Sequence, residues 1–213
     1  MIGNTDLRRS RRESHRFVPT PVARLRTLLL TVCIAVLTPG IQGAAAGQLG
    51  DWHQLIKEAR AASTSDKVRR VNEFFNRRMS HVLDSARWGK KDYWATPREF
   101  ISGGAGDCED FALAKYYTLR KLGVPIHRMR MIYVRMPELA MAHMVLAYYP
   151  TKDASPLVLD NFTDAIIPLR EREDLLPMFA FNDKGLWRNA LKPDVVSPDR
   201  LTRWREFRKR VRS

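Results

Sequence analysis

The strongest constraint on the fold is a change in the spacing of apolar residues near the middle of the chain. In the first half, apolar side chains after Asp66 recur every three or four residues, which predicts an amphipathic helix with Asp66 as its N-cap. A shorter helix is predicted over residues 51–61, and Thr96 followed by Pro97 marks another helix start. The third main helix is predicted over residues 107–122. The apolar positions of the second helix are Val68, Val71, Phe74, Phe75, Met79 and Val82.

After Gly123 the pattern changes to that of β-strands. Residues 129–136 and 142–149 are β-type runs, and residues 156–160 form a short apolar run. Turn-forming residues between the last two runs predict an antiparallel hairpin. Helices followed by an antiparallel sheet predict an α+β fold, and the absence of an internal repeat predicts a single domain.

The beginning of the chain has the order of a secretory signal peptide. Residues 8–26 carry seven arginines, residues 27–38 are uncharged and largely apolar, and small residues end the segment at Ala46. A membrane span needs roughly 20 apolar residues, so the shorter run favours export and cleavage near Ala46 over anchoring. The predicted organisation is a signal peptide over 1–46, a folded domain over 47–198 and a basic C-terminal tail over 199–213.

Net charge and cysteine content narrow the classes of function. A formal net charge of +14 suits nucleic acid, anionic lipid or an acidic partner, but the sequence holds no nucleic-acid-binding motif. A solvated basic surface is the favoured interpretation. Of the two cysteines, Cys33 lies in the predicted signal peptide, which leaves Cys108 alone in the mature chain. A lone thiol in an oxidising compartment is a liability unless it is buried or has a chemical role.

The segment around Cys108 carries the chemistry. Glycines between positions 103 and 106 form a loop ahead of Cys108, which starts the helix predicted over residues 107–122. Free amide groups and the dipole at a helix N-terminus stabilise a thiolate and could bind the oxyanion of a peptide carbonyl. The sequence therefore predicts a nucleophile at Cys108, and a buried, inert cysteine is the alternative.

Few histidines could serve this nucleophile as a base. His53 and His81 fall on the early predicted helices, ahead of the sheet. His127 follows a turn at the start of the first strand. His143 begins the second predicted strand, where the end of the sheet could present its imidazole. We therefore predict His143 as the base.

A carboxylate near His143 follows from the hairpin. A turn centred on residues 152–153 sets position 143 opposite positions 161–163 by antiparallel counting. Asp160 lies within a few residues of that register and could orient the imidazole, with Asp164 as a weaker alternative.

Several blocks of sequence resemble a known family. Residues 93–97 read Tyr-Trp-Ala-Thr-Pro, and residues 106–112 read Gly-Asp-Cys-Glu-Asp-Phe-Ala. Both are similar to the bacterial transglutaminase-like cysteine proteinases, and within them to the LapG type of periplasmic adhesin-cleaving protease. Residues 142–146 and 159–161 match in order and spacing. The resemblance covers about residues 50–190, and the Asp-Cys-Glu-Asp block is its most specific part.

The resemblance implies a papain-like, transglutaminase-type fold with a triad of Cys108, His143 and Asp160, and calcium bound beside the cysteine. It also implies a periplasmic endopeptidase that cleaves a large surface adhesin near its N-terminus and so limits biofilm attachment. The implied regulator is an inner-membrane cyclic di-GMP receptor of the LapD type. A transglutaminase-type acyl transferase and a non-catalytic binding module are the alternatives.

Acidic residues give the calcium ion a rationale of its own. Asp107, Glu109 and Asp110 surround Cys108, and their charges would raise the pKa of its thiol. A divalent cation with oxygen ligands would offset those charges. Helix capping by Asp107 is the simpler alternative. A zinc site that uses Cys108 and His143 is disfavoured, because four closely spaced ligands are not evident.

Overall fold

The structure, a computed structural model, describes residues 40–151, 153–190 and 194–212. The predicted signal peptide lies outside the described residues up to position 39, and its predicted cleavage segment, which ends at Ala46, falls within the first helix. The described residues all belong to one compact unit. Over these same residues, no helix is long and apolar enough to cross a membrane.

Helices occupy the first half of the described chain and return at its end. They are α1 (Gly40–Ala59), α2 (Thr64–Arg78), α3 (Asp84–Trp88), α4 (Pro97–Gly103), α5 (Cys108–Lys121) and α6 (Thr202–Arg212). Short 3-10 turns lie at Ile126–Arg128, Leu169–Glu171 and Pro198–Arg200. The three helices predicted over the first 122 residues and the helix start at Thr96 are all present.

The first residues of α2 and α4 show why these helices begin where they do. The N-cap of α2 is Ser63, whose Oγ accepts a hydrogen bond from the Asp66 N–H at 3.2 Å. The prediction of Asp66 as the N-cap is therefore wrong, because Ser63 already satisfies that amide and moves the start of the helix upstream. Thr96 caps α4 as predicted, and Glu99 returns a hydrogen bond to the Thr96 N–H in a capping box.

The strands within the described residues form two sheets. They are β1 (Ser80–His81), β2 (Ala105–Gly106), β3 (Met129–Met136), β4 (Met141–Tyr148), β5 (Leu157–Leu159), β6 (Ile167–Pro168), β7 (Leu176–Phe181), β8 (Leu186–Trp187) and β9 (Val195–Val196). The first two pair in parallel, and the others form an antiparallel sheet in the order β6-β5-β4-β3-β7-β8-β9. The three predicted strands are confirmed as β3, β4 and β5, within one residue at each end.

The central strands are buried on both faces. Successive side chains of a strand point to opposite faces, so Met131 and Leu146 join the main apolar cluster while Ile132 and Val145 join a second one. Helix α5 packs against β3 and β4 on the side of the main cluster. The helix that starts at Cys108 therefore lies directly on the sheet that carries His143.

The basic C-terminal segment forms α6, which is an amphipathic helix. Its Trp204 and Phe207 side chains are fully buried in the main cluster. The Phe207 ring lies 6.4 Å from the Trp94 ring and 5.6 Å from the Tyr117 ring. Helix α6 thus completes the same core against which α5 packs.

Candidate active site

Cys108 is the first residue of α5, at the point where the small parallel sheet ends. Asp107 occupies the N-cap position, directly after β2. A Cβ added at Gly106 would overlap Asp110 Oδ2 and would lie 2.8 Å from Phe100 Cδ2. Only glycine therefore allows the chain to pass this closely, and the approach holds Cys108 in the first helical turn, where backbone N–H groups lack helical partners.

His143 and Asp160 form a buried pair. His143 Nε2 lies 2.8 Å from Asp160 Oδ1, and each residue is 1% exposed. Burial by itself would raise the pKa of Asp160, but hydrogen bonds from His143, the Phe162 N–H and Arg172 hold that pKa well below its usual value. An ionised carboxylate only accepts hydrogen bonds, so Nε2 carries the hydrogen. His143 Nδ1, which has no hydrogen-bond partner within the described residues, is left able to accept a proton.

The register of the hairpin explains this pair. Leu146 of β4 pairs with Leu159 of β5, and the same register continued past β5 sets His143 opposite Phe162, as predicted. The Phe162 ring stacks on the His143 imidazole at 4.5 Å with the two planes 4° apart. The Phe162 N–H also donates to Asp160 Oδ1 at 3.0 Å. One residue of the turn therefore contacts both members of the pair.

Cys108 and His143 line the same cleft, which has a volume of about 540 Å³. Burial raises the pKa of the Cys108 thiol first, and the charges of Glu109 and Asp107 raise it further. A hydrogen bond from the Met144 backbone, next to His143, acts in the opposite direction. Thiolate formation in this cleft therefore depends on a positive charge that offsets the carboxylates.

Of the three other histidines among the described residues, two lie where the sequence indicates and one does not. His53 lies in α1, and His127 lies in the turn before β3. The prediction that His81 lies on an early helix is wrong, because its backbone pairs with Gly106 in the small parallel sheet. His81 consequently lines the cleft, and its ring lies 5.5 Å from the Phe162 ring.

Three buried carboxylates meet behind Cys108. Asp84, Asp107 and Asp110 each offer one oxygen, and these oxygens lie within 4.8 Å of one another. Within the part of the chain that the structure describes, Asp84 Oδ1, Asp107 Oδ1 and Asp110 Oδ2 are buried without a hydrogen-bond partner. Burial and neighbouring negative charge raise the pKa of Asp107 to about 9 and that of Asp110 to about 8. Unpartnered hard oxygen ligands with like charges fit a divalent cation such as calcium.

The second oxygens of this group hold the preceding loop. Asp110 Oδ1 accepts a hydrogen bond from the Ala95 N–H at 2.7 Å, and Asp84 Oδ2 accepts one from the Tyr93 N–H. Asp107 makes no side-chain capping hydrogen bond although it occupies the N-cap position. The geometry therefore gives no support to helix capping as the role of its carboxylate.

The predicted metal ligands lie close to one another, in two overlapping groups of carboxylates. Asp107 and Asp110 share one group of oxygens with Asp84, a residue that sequence reasoning missed. Glu109 belongs to a second group with Asp84 and Asp92, and its carboxylate also contacts that of Asp107. It accepts a hydrogen bond from Cys108 Sγ at 3.2 Å. Asp84 belongs to both groups, and only its position in the fold reveals it.

Sequence reasoning also missed the residues that hold the loop of Asp160. Lys115 of α5 is fully buried and donates to the Asp160 carbonyl oxygen at 3.1 Å. It also donates to Asn72 Oδ1 at 2.8 Å and to Asn76 Oδ1 at 2.7 Å. Arg172 donates to the Asp160 side chain at 2.8 Å. No local motif marks these residues, because their partners are distant in sequence.

A thiol at a helix N-terminus and a histidine paired with a carboxylate are side chains that a cysteine proteinase uses, and here the thiol and the histidine line one cleft. The chain belongs to the bacterial transglutaminase-like cysteine proteinases (BTLCP), whose family model matches residues 51–191. The resemblance seen in the sequence is thereby confirmed, and the protein is a cysteine protease.

Solved structures agree with this family. LapG from Legionella pneumophila, in its EGTA-treated form, is 35% identical with a TM-score of 0.72, over 80% of this chain and 95% of that chain. Its calcium-bound form is 38% identical with a TM-score of 0.71, over 79% of this chain and 92% of that chain. A comparison with curated proteins finds no match. The predicted α+β, transglutaminase-like fold and the similarity to the LapG type are both confirmed.

Proposed function

We propose that this protein is a calcium-dependent periplasmic endopeptidase that acts through Cys108, His143 and Asp160 and cleaves a large surface adhesin near its N-terminus. One observation carries the proposal. The His143–Asp160 pair, at 2.8 Å, leaves His143 Nδ1 free of hydrogen-bond partners among the described residues, and His143 lines the same cleft as Cys108.

The residues account for both halves of peptide hydrolysis. His143 Nδ1 takes the thiol proton, and Cys108 Sγ bonds to the carbonyl carbon of the scissile peptide. Backbone N–H groups at the start of α5 stabilise the oxyanion. The imidazolium then gives its proton to the leaving nitrogen, the C–N bond breaks, and a thioester remains on Cys108. Water, deprotonated by the same nitrogen, hydrolyses the thioester and restores the thiol.

Asp84, Asp107 and Asp110 are the residues that would hold the calcium ion. The ion supplies the positive charge that offsets the carboxylates around Cys108. Two findings support this assignment: the three unpartnered oxygens of the cluster, and the similarity to a LapG that has been solved in calcium-bound and EGTA-treated forms.

The leader and the family support a proposal for the location and the partners of the enzyme. The arginine-rich, apolar leader supports export, with a mature N-terminus near Gly47. The similarity to the LapG type supports a large surface adhesin as substrate, whose release limits biofilm attachment. It also supports restraint by an inner-membrane cyclic di-GMP receptor of the LapD type.

Incubation of the mature protein with the N-terminal part of a large secreted adhesin from the same genome tests this function. The wild type should cut the adhesin, and Cys108→Ala or His143→Ala should lose several orders of magnitude in rate because the triad acts as a unit. Asp160→Asn should cost less if orientation is its main task. His53→Ala, an exposed histidine of α1, is the matched control and should leave the rate unchanged.

Two outcomes would contradict the proposal. Undiminished cleavage by Cys108→Ala would show that Cys108 is not the nucleophile. Incorporation of an amine acceptor without cleavage would assign the thioester to acyl transfer instead.

A further inference from the structure

The two carboxylate oxygens of Asp160 have different partners. Oδ1 accepts from His143 Nε2 at 2.8 Å and from the Phe162 N–H at 3.0 Å. Oδ2 accepts from Arg172 Nη2 at 2.8 Å. The Arg172 side chain is 8% exposed and that of Asp160 is fully buried, so the two form a buried ion pair directly behind the histidine. The proposed mechanism gives Arg172 no task.

Arg172 is itself held by a second carboxylate. Its Nε donates to Asp174 Oδ1 at 2.8 Å, and its Nη2 donates to Asp174 Oδ2 at 2.7 Å, which is a two-point contact. The backbone is fixed on both sides, because the Arg172 N–H bonds the Leu169 carbonyl and the Leu175 N–H bonds the Arg172 carbonyl. The guanidinium therefore reaches Asp160 from a fixed position.

A buried carboxylate needs such a partner for two reasons. Burial opposes the charged form, and a nearby cation with a good hydrogen bond restores it. A carboxylate with one tied oxygen can also rotate about its terminal bond, whereas donors on both oxygens fix its plane. An Asp160 that turned would withdraw Oδ1 from His143 Nε2 and leave the imidazole free to change tautomer.

We propose that Arg172 is a positioning residue of the catalytic site, which clamps Asp160 so that Oδ1 stays aimed at His143 Nε2 and Nδ1 stays the basic nitrogen. This inference rests on the proposed roles of Cys108, His143 and Asp160. Arg172 is not among the residues that line the cleft. Its loss should therefore slow the chemical step and leave substrate binding unchanged.

Kinetics of four variants on the adhesin fragment test the clamp. Arg172→Met should lower kcat about 10- to 100-fold, as removal of a partner that orients a catalytic group commonly does, with KM within about twofold of the wild type. Arg172→Lys keeps the charge but offers no planar fork, so it should recover part of the loss. Arg170→Met is the matched control, because Arg170 is 70% exposed and its ion pair with Glu171 is at the surface. Asp160→Asn sets the reference for loss of the carboxylate charge.

The double variant Arg172→Met with Asp160→Asn separates a positioning role from a general loss of stability. If Arg172 acts through Asp160, the double variant should have the kcat of Asp160→Asn alone. It also removes both charges of the Arg172–Asp160 ion pair rather than one, so it keeps the test open if Arg172→Met does not fold. Additive losses in the double variant, or a wild-type kcat in Arg172→Met, would overturn the proposal.

A readout without substrate keeps this test independent of the proposed function. In proton NMR spectra, the His143 Nε2–H that bonds Asp160 should give a low-field signal that Cys108→Ala retains. Arg172→Met should shift or broaden that signal, and Arg170→Met should not. An unmoved signal in folded Arg172→Met would contradict the clamp even if adhesin cleavage is confirmed. A moved signal would support the clamp even if the adhesin proves to be the wrong substrate.

Discussion

At the scale of single residues, the negative charge around Cys108 decides whether the thiol can react. Asp107 and Asp110 each have one carboxylate oxygen without a hydrogen-bond partner among the described residues, and both lie close to Asp84. Glu109 accepts a hydrogen bond from the Cys108 thiol. Buried carboxylates without donors are costly, and a cation with oxygen ligands removes the cost for the whole group at once. The same residues therefore hold the preceding loop and raise the pKa of the Cys108 thiol.

Removal of one carboxylate tests which group of oxygens holds the ion. Asp110→Asn, which keeps the oxygen that accepts from the Ala95 N–H, should weaken calcium binding by about tenfold or more in titration calorimetry, because ligand charge sets affinity. EGTA should likewise suppress cleavage, and calcium rather than magnesium should restore it.

The matched control is Asp92→Asn, which changes a carboxylate of the second group only. It should leave calcium affinity unchanged. Weaker binding in Asp92→Asn together with normal binding in Asp110→Asn would assign the ion to Asp84, Asp92 and Glu109. Full activity in EGTA, with no calcium bound to the purified protein, would exclude a calcium role.

At the scale of elements, the short strand β2 sets the position of α5. Its pairing with β1 is only two residues long, so hydrogen bonds alone hold it weakly. Close packing at Gly106 against Phe100 and Asp110 adds the constraint that hydrogen bonds lack. The backbone between α4 and α5 is therefore fixed in one conformation as it approaches Cys108.

Gly106→Ala should disturb the backbone conformation between α4 and α5. The added Cβ overlaps Asp110 Oδ2 and crowds Phe100, and overpacking of this kind costs about 1–3 kcal/mol of unfolding free energy. Cleavage should fall as well, because the shift moves both Cys108 and a proposed calcium ligand. Thermal denaturation and the cleavage assay measure the two effects.

Gly50→Ala in α1 is the control for the glycine itself. An added Cβ there meets no atom within 4 Å, so the helix should gain about 0.5–1 kcal/mol. Equal stability changes in Gly50→Ala and Gly106→Ala would show that close packing at Gly106 has no role.

At the scale of the whole molecule, α6 packs the C-terminal segment into the same apolar core as the helices and the sheet. Phe207 is fully buried among the rings of Trp94, Tyr117 and Trp204. Trp94 also lines the cleft, so the apolar face of α6 supports the wall on which substrate would lie. The basic residues of this segment therefore lie on a helix whose apolar face is part of the core.

Phe207→Ala should therefore lower the free energy of unfolding by about 3–5 kcal/mol, as loss of a buried aromatic ring does. Glu206→Ala changes the exposed neighbour and should stay within about 0.5 kcal/mol of the wild type. Urea denaturation compares the two variants. A Phe207→Ala protein as stable as Glu206→Ala would show that α6 is dispensable to the core.

Much of the fold could be predicted because its signals are local. Apolar spacing located α2, the stop signals Gly123 and Pro125 located the end of α5, capping residues located α4, and β-type runs located β3, β4 and β5. The parallel pair of β1 and β2 could not be predicted, since two residues carry no periodic pattern. For the same reason, the sequence misplaced His81 on a helix.

The same distinction between local and long-range contacts applies to the candidate site. By itself the sequence determined Cys108 at a helix start and the register of one hairpin, which suffices to pair His143 with Asp160, because both depend on contacts between neighbours in the chain. Only the tertiary structure decided that Asp84 joins Asp107 and Asp110, and that Arg172 reaches the second oxygen of Asp160. These contacts arise where separate elements pack together, and a buried charge finds its partner across that packing.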